Sequence, residues 1–374
     1  MNWIETNNYI EGDYSQFEYK NKVAGFDLDW TLINTKSKQI FPIDKDDWIV
    51  PKAILNKLRE LHNNDYCIVI ISNQKTLKKS TKIKTQWLTK IENIGKYIKI
   101  PFKIFASLNS DIYRKPMMTF WRMVESHIQV DKQASFFCGD ACGRLTDHGD
   151  TDLKFALNNN LTFYTPEEIT NKEKHISRTI KYPINFNDIQ SNQLLITTKT
   201  DSSNMQLTED TIFKHIPYKK VMFLMVGFPA CGKSTFVQKY LTPHNVHRIN
   251  MDTLKTKPKC ISECKSAIQQ QKKIVIDNTN VAIENRKLYI NMAIKANYKV
   301  VCITVNTNLI QCQHNSLYRA FTKHERIVPK VVYNTMKKKY TEPKLTEGYE
   351  CIINVTMEHP KSDDYSKYYI EKIN

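Results

Sequence analysis

The sequence contains no run of about 18 apolar residues, so no part of it reads as a membrane span. It opens on MNWIETNNYIEGD, polar and acidic, which does not resemble a secretory signal. No stretch repeats at a fixed period. Cysteine occurs nine times, scattered, and Cys260 and Cys264 are the best candidates for a metal pair. Without a second pair to complete a zinc site, the nine read as free thiols in a reducing compartment. Acidic residues are the minority charge: 38 Asp and Glu stand against 55 Lys and Arg, a net charge of +17. That excess favours a polyanionic partner, nucleic acid first and an acidic membrane surface second. Single basic runs, such as Lys78, Lys79, Lys82 and Lys84, Lys219 and Lys220, or Lys337 to Lys339, read as solvated faces.

What is present is a globular composition, 41% hydrophobic over 374 residues, enough for about two or three domains each with its own core. Two segments alternate short apolar runs with amphipathic stretches, the pattern of mostly parallel sheets with crossover helices. The first, from about Lys22 to about Thr165, contains KVAGF, YCIVIIS, FKIFAS and ASFFCGD. Between the first two runs, AILNKLRELHNN sets Ile54, Leu55, Leu58 and Leu61 on one helical face. The second segment begins with VMFLMVGFPACGKST and continues through KIVIDNTN and KVVCITVNT. From about residue 171 to 218 the pattern fades, and TTKTDSSNMQLTED reads as a connection across a domain boundary. The expected division is an extension at 1–21, an α/β domain at 22–170, a linker at 171–218 and a second α/β domain at 219–374.

The strongest local signal is GFPACGKST. Gly227, Gly232, Lys233 and Ser234 fill every defined position of a phosphate-binding loop, a match expected by chance about once in a hundred chains of this length. An apolar strand leads in, and FVQKYL can form the helix behind. Glycines let backbone N–H groups converge on phosphate oxygens at a helix N-terminus, Lys233 can neutralise the β and γ phosphates, and Ser234 can ligate magnesium. Further on, Asp252 in RINMDTL is either a helix N-cap or a base for an incoming hydroxyl. Asp277 ends the IVID strand as a second acidic group near the phosphates. Arg319 in HNSLYRA is a candidate clamp on a transferred phosphoryl group.

The second signal is GFDLDWTLI, which places Asp27, Asp29 and Thr31 at the end of an apolar run. The spacing alone arises by chance in about one chain in twenty. If the strand ends at Asp27 and the chain turns, both carboxylates face the cleft outside the carboxyl ends of the strands. One can then attack phosphorus and the other protonate the leaving oxygen. Ser72, Lys115 and Asp140 follow in order, each closing a strand or opening a helix: a hydroxyl for a phosphate oxygen, a cation, and a carboxylate suited to magnesium. Asp147 and Asp152 stand downstream as possible support for that site.

That order resembles the haloacid dehalogenase superfamily of phosphatases. More closely, KVAGFDLDWTLI, Phe41-Pro42, Asp47-Trp48, SNQ, YRKP, GDACGR, FALN and TPEE are similar to the phosphatase domain of the bifunctional polynucleotide 3′-phosphatase/5′-kinases. GFPACGKST, Asp252-Thr253-Leu254, VIDNTN, His314-Asn315 and LTEGYE resemble the kinase half of the same family, in the same order. The resemblance covers roughly residues 20 to 355. It implies a haloacid dehalogenase-like Rossmannoid domain followed by a P-loop kinase domain, acting on ends of DNA or RNA. The implied activity is removal of 3′-phosphates through an aspartyl-phosphate and ATP-dependent phosphorylation of 5′-hydroxyls, leaving ends that a ligase can join in strand-break repair. Alternatives are that one activity dominates, or that the chain is a fused small-metabolite phosphatase and kinase.

By the same resemblance, Asp27 is the nucleophile and Asp29 the general acid/base, with Ser72 and Lys115 holding the phosphoryl group. Asp252 and Arg319 complete the catalytic set in the kinase half. Gly227, Gly232, Lys233, Ser234 and Thr235 bind ATP, and Asp27, Asp29, Asp140 and Ser234 hold Mg2+. An intracellular monomer of the nucleus or cytoplasm, with no membrane partner, is implied. Only about twenty residues precede Lys22, too few for the forkhead-associated domain of many relatives. Three departures stand out: Trp30 in place of a glycine, where it either stacks on a terminal base or merely packs, and Met251 and Leu317 in place of arginines. Loss of the two arginines implies a slower or differently tuned kinase.

Overall fold

The computed structural model describes residues 1–170, 176, 178, 180, 218–323, 325–357 and 362–371, and the strands at 195–199 and 204–207. The chain divides into two compact units, residues 1–182 with 367–374, and residues 183–366.

The first unit is built on seven strands: β1 (Asn2–Glu5), β2 (Tyr9–Tyr14), β3 (Lys22–Phe26), β4 (Tyr66–Asn73), β5 (Phe102–Ser107), β6 (Phe136–Cys138) and β7 (Thr162–Tyr164). Their order across the sheet is β1-β2-β5-β4-β3-β6-β7. The five from β5 to β7 run parallel, and β1 and β2 add an antiparallel edge. Strand alternation sends Ile68 and Ile70 of β4 into one core layer, with Ile54 and Leu58 of the helix Lys52–Asn63. It sends Cys67, Val69 and Ile71 into the other, with Trp121 and Val124 of the helix Thr119–His127. Covered on both faces, the central strands are continuous apolar runs, as parallel strands are. The chain builds β3, β4 and β5 to one side of β3 and then reverses to place β6 and β7 on the other. The crevice at such a reversal, at the carboxyl ends of β3, β4 and β6, is where open α/β sheets hold ligands.

The second unit repeats the logic. Its strands β8 (Leu195–Lys199), β9 (Asn204–Leu207), β10 (Val221–Val226), β11 (His247–Ile249), β12 (Ile274–Ile276), β13 (Lys299–Val305) and β14 (Cys351–Thr356) lie in the order β11-β12-β10-β13-β14-β8-β9. The five from β11 to β14 are parallel, and β8 and β9 form an antiparallel edge on β14. In β10, Val221, Phe223 and Met225 enter one core layer, and Met222, Leu224 and Val226 the other.

Two expectations differ from this architecture. Residues 1–21, expected as an extension, contribute β1 and β2 to the first sheet. TTKTDSSNMQLTED, expected as connection, contains β9 and part of β8. β1 and β9 are outermost and pair on one side only, while β2 and β8 pair on both sides; all four lie in antiparallel margins of their sheets, where the register comes from the partner strand. Most of the expected linker lies outside the described residues. The nine cysteines are all buried and unbridged, and Cys260 and Cys264 face the core from the helix Lys257–Gln269 rather than forming a metal site.

Arg286 anchors the second unit. Fully buried, it makes a bidentate pair with Glu347 at 2.7 and 2.8 Å and donates to the carbonyls of Asn280, Val281 and Thr341. Arg286→Ala would strand the Glu347 carboxylate and three carbonyls. It is expected to cost ~3–5 kcal/mol, read as a lower urea midpoint for the second unit, whereas a change within error would show that water replaces the guanidinium.

Candidate active sites

In the first unit, the end of β3 delivers Asp27, whose backbone N–H donates to the Cys138 carbonyl at 2.8 Å and so fixes its carboxylate beside the end of β6. Lys115 Nζ bridges Asp27 Oδ1 at 2.5 Å and Asp152 Oδ1 at 2.7 Å. Asp140 follows β6, and its Oδ1 accepts from Thr31 Oγ1 at 3.4 Å. Carboxylate oxygens of Asp27, Asp140 and Asp152 all lie within 4.8 Å of one another. Three carboxylates thus crowd around one ammonium. Burial, with the neighbouring acids, pushes Asp27 well above the usual carboxylate range against the pull of Lys115. Burial and Asp152 likewise push Asp140 up to about 7. Burial alone would lower Lys115, but Asp152 and Asp27 overcome it and hold its pKa above the ordinary lysine value. The surplus of negative charge and the all-oxygen donor set fit a hard divalent cation.

Ser72, at the end of β4, is buried, and its Oγ accepts from Gln74 Nε2 at 2.9 Å. Asp29, expected among the metal ligands, is outside the carboxylate cluster. The chain has turned by then, and its side chain meets Gln74 Nε2 at 2.7 Å and Lys90 Nζ at 3.4 Å. Its side chain is 42% exposed, open to solvent and substrate. Asp147 supports the site indirectly: it accepts from the backbone of Cys142 and Arg144, both at 3.1 Å, and from the Arg144 side chain. Trp30 sits at φ 60°, in the left-handed region where a glycine is easiest. Its indole N–H donates to the Ile40 carbonyl at 3.2 Å, tying down a loop that exposes Ile40 and Phe41.

Sequence reasoning missed three residues here. Asn73 holds the Lys115 backbone from both sides, its Oδ1 accepting from Lys115 N at 2.9 Å and its Nδ2 donating to Lys115 O at 3.2 Å. Gln74 orients Ser72 and Asp29. Lys90, buried between Trp87 and Ile91 on the helix Thr81–Ile98, was legible as a charge on an apolar helical face. Asp152 was noted only as possible support, yet it lies at the centre of the cluster.

In the second unit, β10 runs into the glycine loop. Gly232 sits at φ 106°, and a Cβ there would lie 2.7 Å from Met357 Cγ, so glycine is required on both counts. The helix Lys233–Phe236 follows, carrying Ser234 and Thr235. Lys233 Nζ donates to the carbonyls of Gly227 at 3.1 Å and Phe228 at 2.7 Å, across the mouth of its own loop. Ser234 Oγ donates to Asp277 Oδ2 at 2.9 Å, which also receives Arg248 Nε and Nη2 at 2.8 and 2.6 Å. Asp277 Oδ1 is buried without a hydrogen-bond partner, which leaves a spare acceptor on the carboxylate that Ser234 contacts.

The loop carbonyls are braced by three side chains, of which only Asn315 stood in a family motif. Thr307 Oγ1 donates to Cys231 O at 2.8 Å, Asn315 Nδ2 to Ala230 O at 2.9 Å, and Tyr333 OH to Pro229 O at 3.3 Å. Asn315 is held in turn by Tyr365 OH at 2.7 Å. For Asp252 the two readings separate: Asn250 is the N-cap, accepting from Thr253 N at 2.8 Å, and Asp252 is exposed in the first turn behind it. Arg319 pairs with Glu325 at 3.5 Å, and its Nε is buried with no partner.

A strand-end carboxylate cluster with its lysine, and a glycine loop with its lysine and serine, define a protein of two phosphoryl-transfer sites. Residues 22–170 match the family described as polynucleotide kinase 3 phosphatase, and residues 258–343 match an AAA domain. The bifunctional polynucleotide phosphatase/kinase of Schizosaccharomyces pombe is 30% identical over 99% of this chain and 88% of its own length. The polynucleotide 3′-phosphatase of Saccharomyces cerevisiae is 32% identical over 41% of this chain and 88% of its own length. The chain belongs to the bifunctional polynucleotide phosphatase/kinase family. Among the described residues no helix is long and apolar enough to cross a membrane.

Proposed function

We propose that the chain heals nucleic-acid ends, removing 3′-phosphates in its first unit and phosphorylating 5′-hydroxyls from ATP in its second. The observation that supports this most is the Lys115 bridge between Asp27 and Asp152 beside Asp140, in one chain with a complete phosphate loop. In the phosphatase, an oxygen of Asp27 attacks the 3′-phosphorus and the bond to the 3′-oxygen breaks. Asp29 gives that oxygen its proton, then takes one from the water that releases phosphate from Asp27. Ser72 and Lys115 hold the phosphoryl oxygens in place. Mg2+ held by Asp27, Asp140 and Asp152 would neutralise charge on the phosphoryl group.

In the kinase, Asp252 takes the proton of the 5′-hydroxyl, whose oxygen attacks the γ-phosphorus of ATP as ADP departs. Lys233 and the loop N–H groups hold the β and γ phosphates, Ser234 and Asp277 supply oxygens for Mg2+, and Arg319 exchanges Glu325 for the transferring group. The net charge of +17 suits a strand backbone as substrate. The direct test is a labelled oligonucleotide bearing a 3′-phosphate and a 5′-hydroxyl, incubated with Mg2+, with and without ATP. Phosphate loss without ATP and phosphate gain only with it are expected; no change at either end would overturn the reading.

Cation binding should also be coupled to protons. Asp140, pushed up to about 7, and Asp27, raised well above the ordinary carboxylate range by burial, must be ionised to serve as ligands. Mg2+ affinity of the phosphatase site is therefore expected to weaken as pH falls from about 8 to about 6, with protons released on binding. Calorimetry in two buffers of different ionisation heat, using a Lys233→Ala background, measures the proton count. Identical heats would show the carboxylates already ionised.

A further inference from the structure

The last described residues of the chain, from 367 onwards, belong to the first unit, more than 180 residues away in sequence from the rest of it. They meet the turn that carries Lys115. Glu371 pairs bidentately with Arg114, Oε2 with Nε at 3.0 Å and Oε1 with Nη2 at 2.5 Å. Tyr368 meets the Asn158 amide with both of its backbone groups: its N–H donates to Asn158 Oδ1 at 2.8 Å, and its carbonyl accepts from Nδ2 at 3.0 Å. The same Nδ2 donates to the Pro116 carbonyl at 2.9 Å. Lys154, fully buried and ion-paired with Asp150 at 2.8 Å, donates to the Ile370 carbonyl at 3.0 Å. The residues on both sides of Lys115 are therefore fastened, Arg114 directly and Pro116 through Asn158, to one short C-terminal segment. The helix that supplies Asn158 and Lys154 also supplies Asp152, the second carboxylate on Lys115 Nζ.

We propose that residues 367–371 are a positioning element of the phosphatase, setting where Lys115 stands between Asp27 and Asp152. The inference rests on the first unit being a phosphatase. Arg–carboxylate pairing of this kind fixes direction as well as distance. A catalytic group misplaced by about 1 Å can lose about 10²-fold in rate, because the gain from a fixed arrangement depends on near-contact geometry. The segment touches none of the reacting atoms. Its effect passes through Lys115.

The test uses the full chain. Glu371→Ala is expected to lower kcat for p-nitrophenyl phosphate about tenfold with KM within about twofold. Termination after Ser366, which keeps Tyr365 and its brace on Asn315, should lower kcat by about 10²-fold. ATP-dependent 5′-phosphorylation by the same preparations should be unchanged. Exchanging the pair, Arg114→Glu with Glu371→Arg, should restore most of the rate lost in Glu371→Ala, which ties the loss to this ion pair, while the unchanged KM and kinase rate separate positioning from bulk stability. Wild-type rates in Glu371→Ala and in the truncated chain would overturn the proposal. So would loss of both activities together with a lowered melting temperature, which would mark general destabilisation. p-Nitrophenyl phosphate needs only a phosphate monoester site, so this arm stands apart from the polynucleotide reading. That reading fails separately, if wild type cleaves p-nitrophenyl phosphate but leaves 3′-phosphorylated oligonucleotides intact.

Discussion

Asp27→Asn is expected to lower 3′-phosphate removal by about 10⁴-fold or more while leaving 5′-phosphorylation at the wild-type rate. The amide keeps the shape of the carboxylate but cannot form a bond to phosphorus and expel the 3′-oxygen. On the proposed mechanism, loss of the nucleophile would remove the first covalent step and leave Lys115 and Asp29 no intermediate on which to act. Misfolding is not the expected cause. Burial first, and then Asp152 and Asp140, raise the pKa of Asp27, so its surroundings favour a neutral side chain. Lys115 keeps Asp152 as its ion-pair partner at 2.7 Å. The measurement is release of the 3′-phosphate from a 5′-labelled oligonucleotide, followed by mobility on a denaturing gel, alongside a melting curve. Activity within about tenfold of wild type would remove Asp27 from the nucleophile's role.

The converse is expected of Lys233→Ala, a loss of about 10³-fold in phosphate transfer from ATP with the 3′-phosphatase unchanged. Lys233 holds its ammonium across the mouth of the glycine loop, where it donates to the carbonyls of Gly227 and Phe228. Phosphate oxygens carry more charge than those carbonyls and would draw the ammonium away from them. Removing it leaves the loop N–H groups and the Ser234–Asp277 pair to face the developing charge without neutralisation. The loop itself should survive, because Thr307, Asn315 and Tyr333 hold its carbonyls independently of Lys233. A kinase assay with labelled ATP and a 5′-hydroxyl oligonucleotide decides the matter. A variant within about threefold of wild type would mean that the loop does not bind the transferred phosphate.

Both residues were legible because the information around them is local. An apolar run that stops at Asp27, or at Gly227, marks the carboxyl end of a parallel strand, and in an open α/β sheet that end faces the crevice. The helical face of Ile54, Leu55, Leu58 and Leu61 was legible for the same reason, being fixed by the 3.6-residue repeat. The antiparallel strands at the sheet margins were not. β1, β2, β8 and β9 carry too little apolar pattern to announce themselves, and β8 is placed by β14, more than 150 residues on. Asp29 shows the limit at the site itself: the family resemblance counted it among the Mg2+ ligands, but its carboxylate meets Gln74 and Lys90, outside the cluster of Asp27, Asp140 and Asp152.

By itself, then, the amino-acid order determined two parallel-sheet units, the loop that cradles phosphate, and the strand-end aspartate, because strand periodicity, glycine backbone freedom and strand termination act within a few residues. Only the tertiary structure decided that Asp152 rather than Asp29 joins Asp27 and Asp140, that Asn73 grips Lys115, and that Glu371 reaches Arg114 across 257 positions. Those contacts join side chains brought together by chain reversals and helix packing, and no spacing along the chain encodes which distant partner a buried charge will meet.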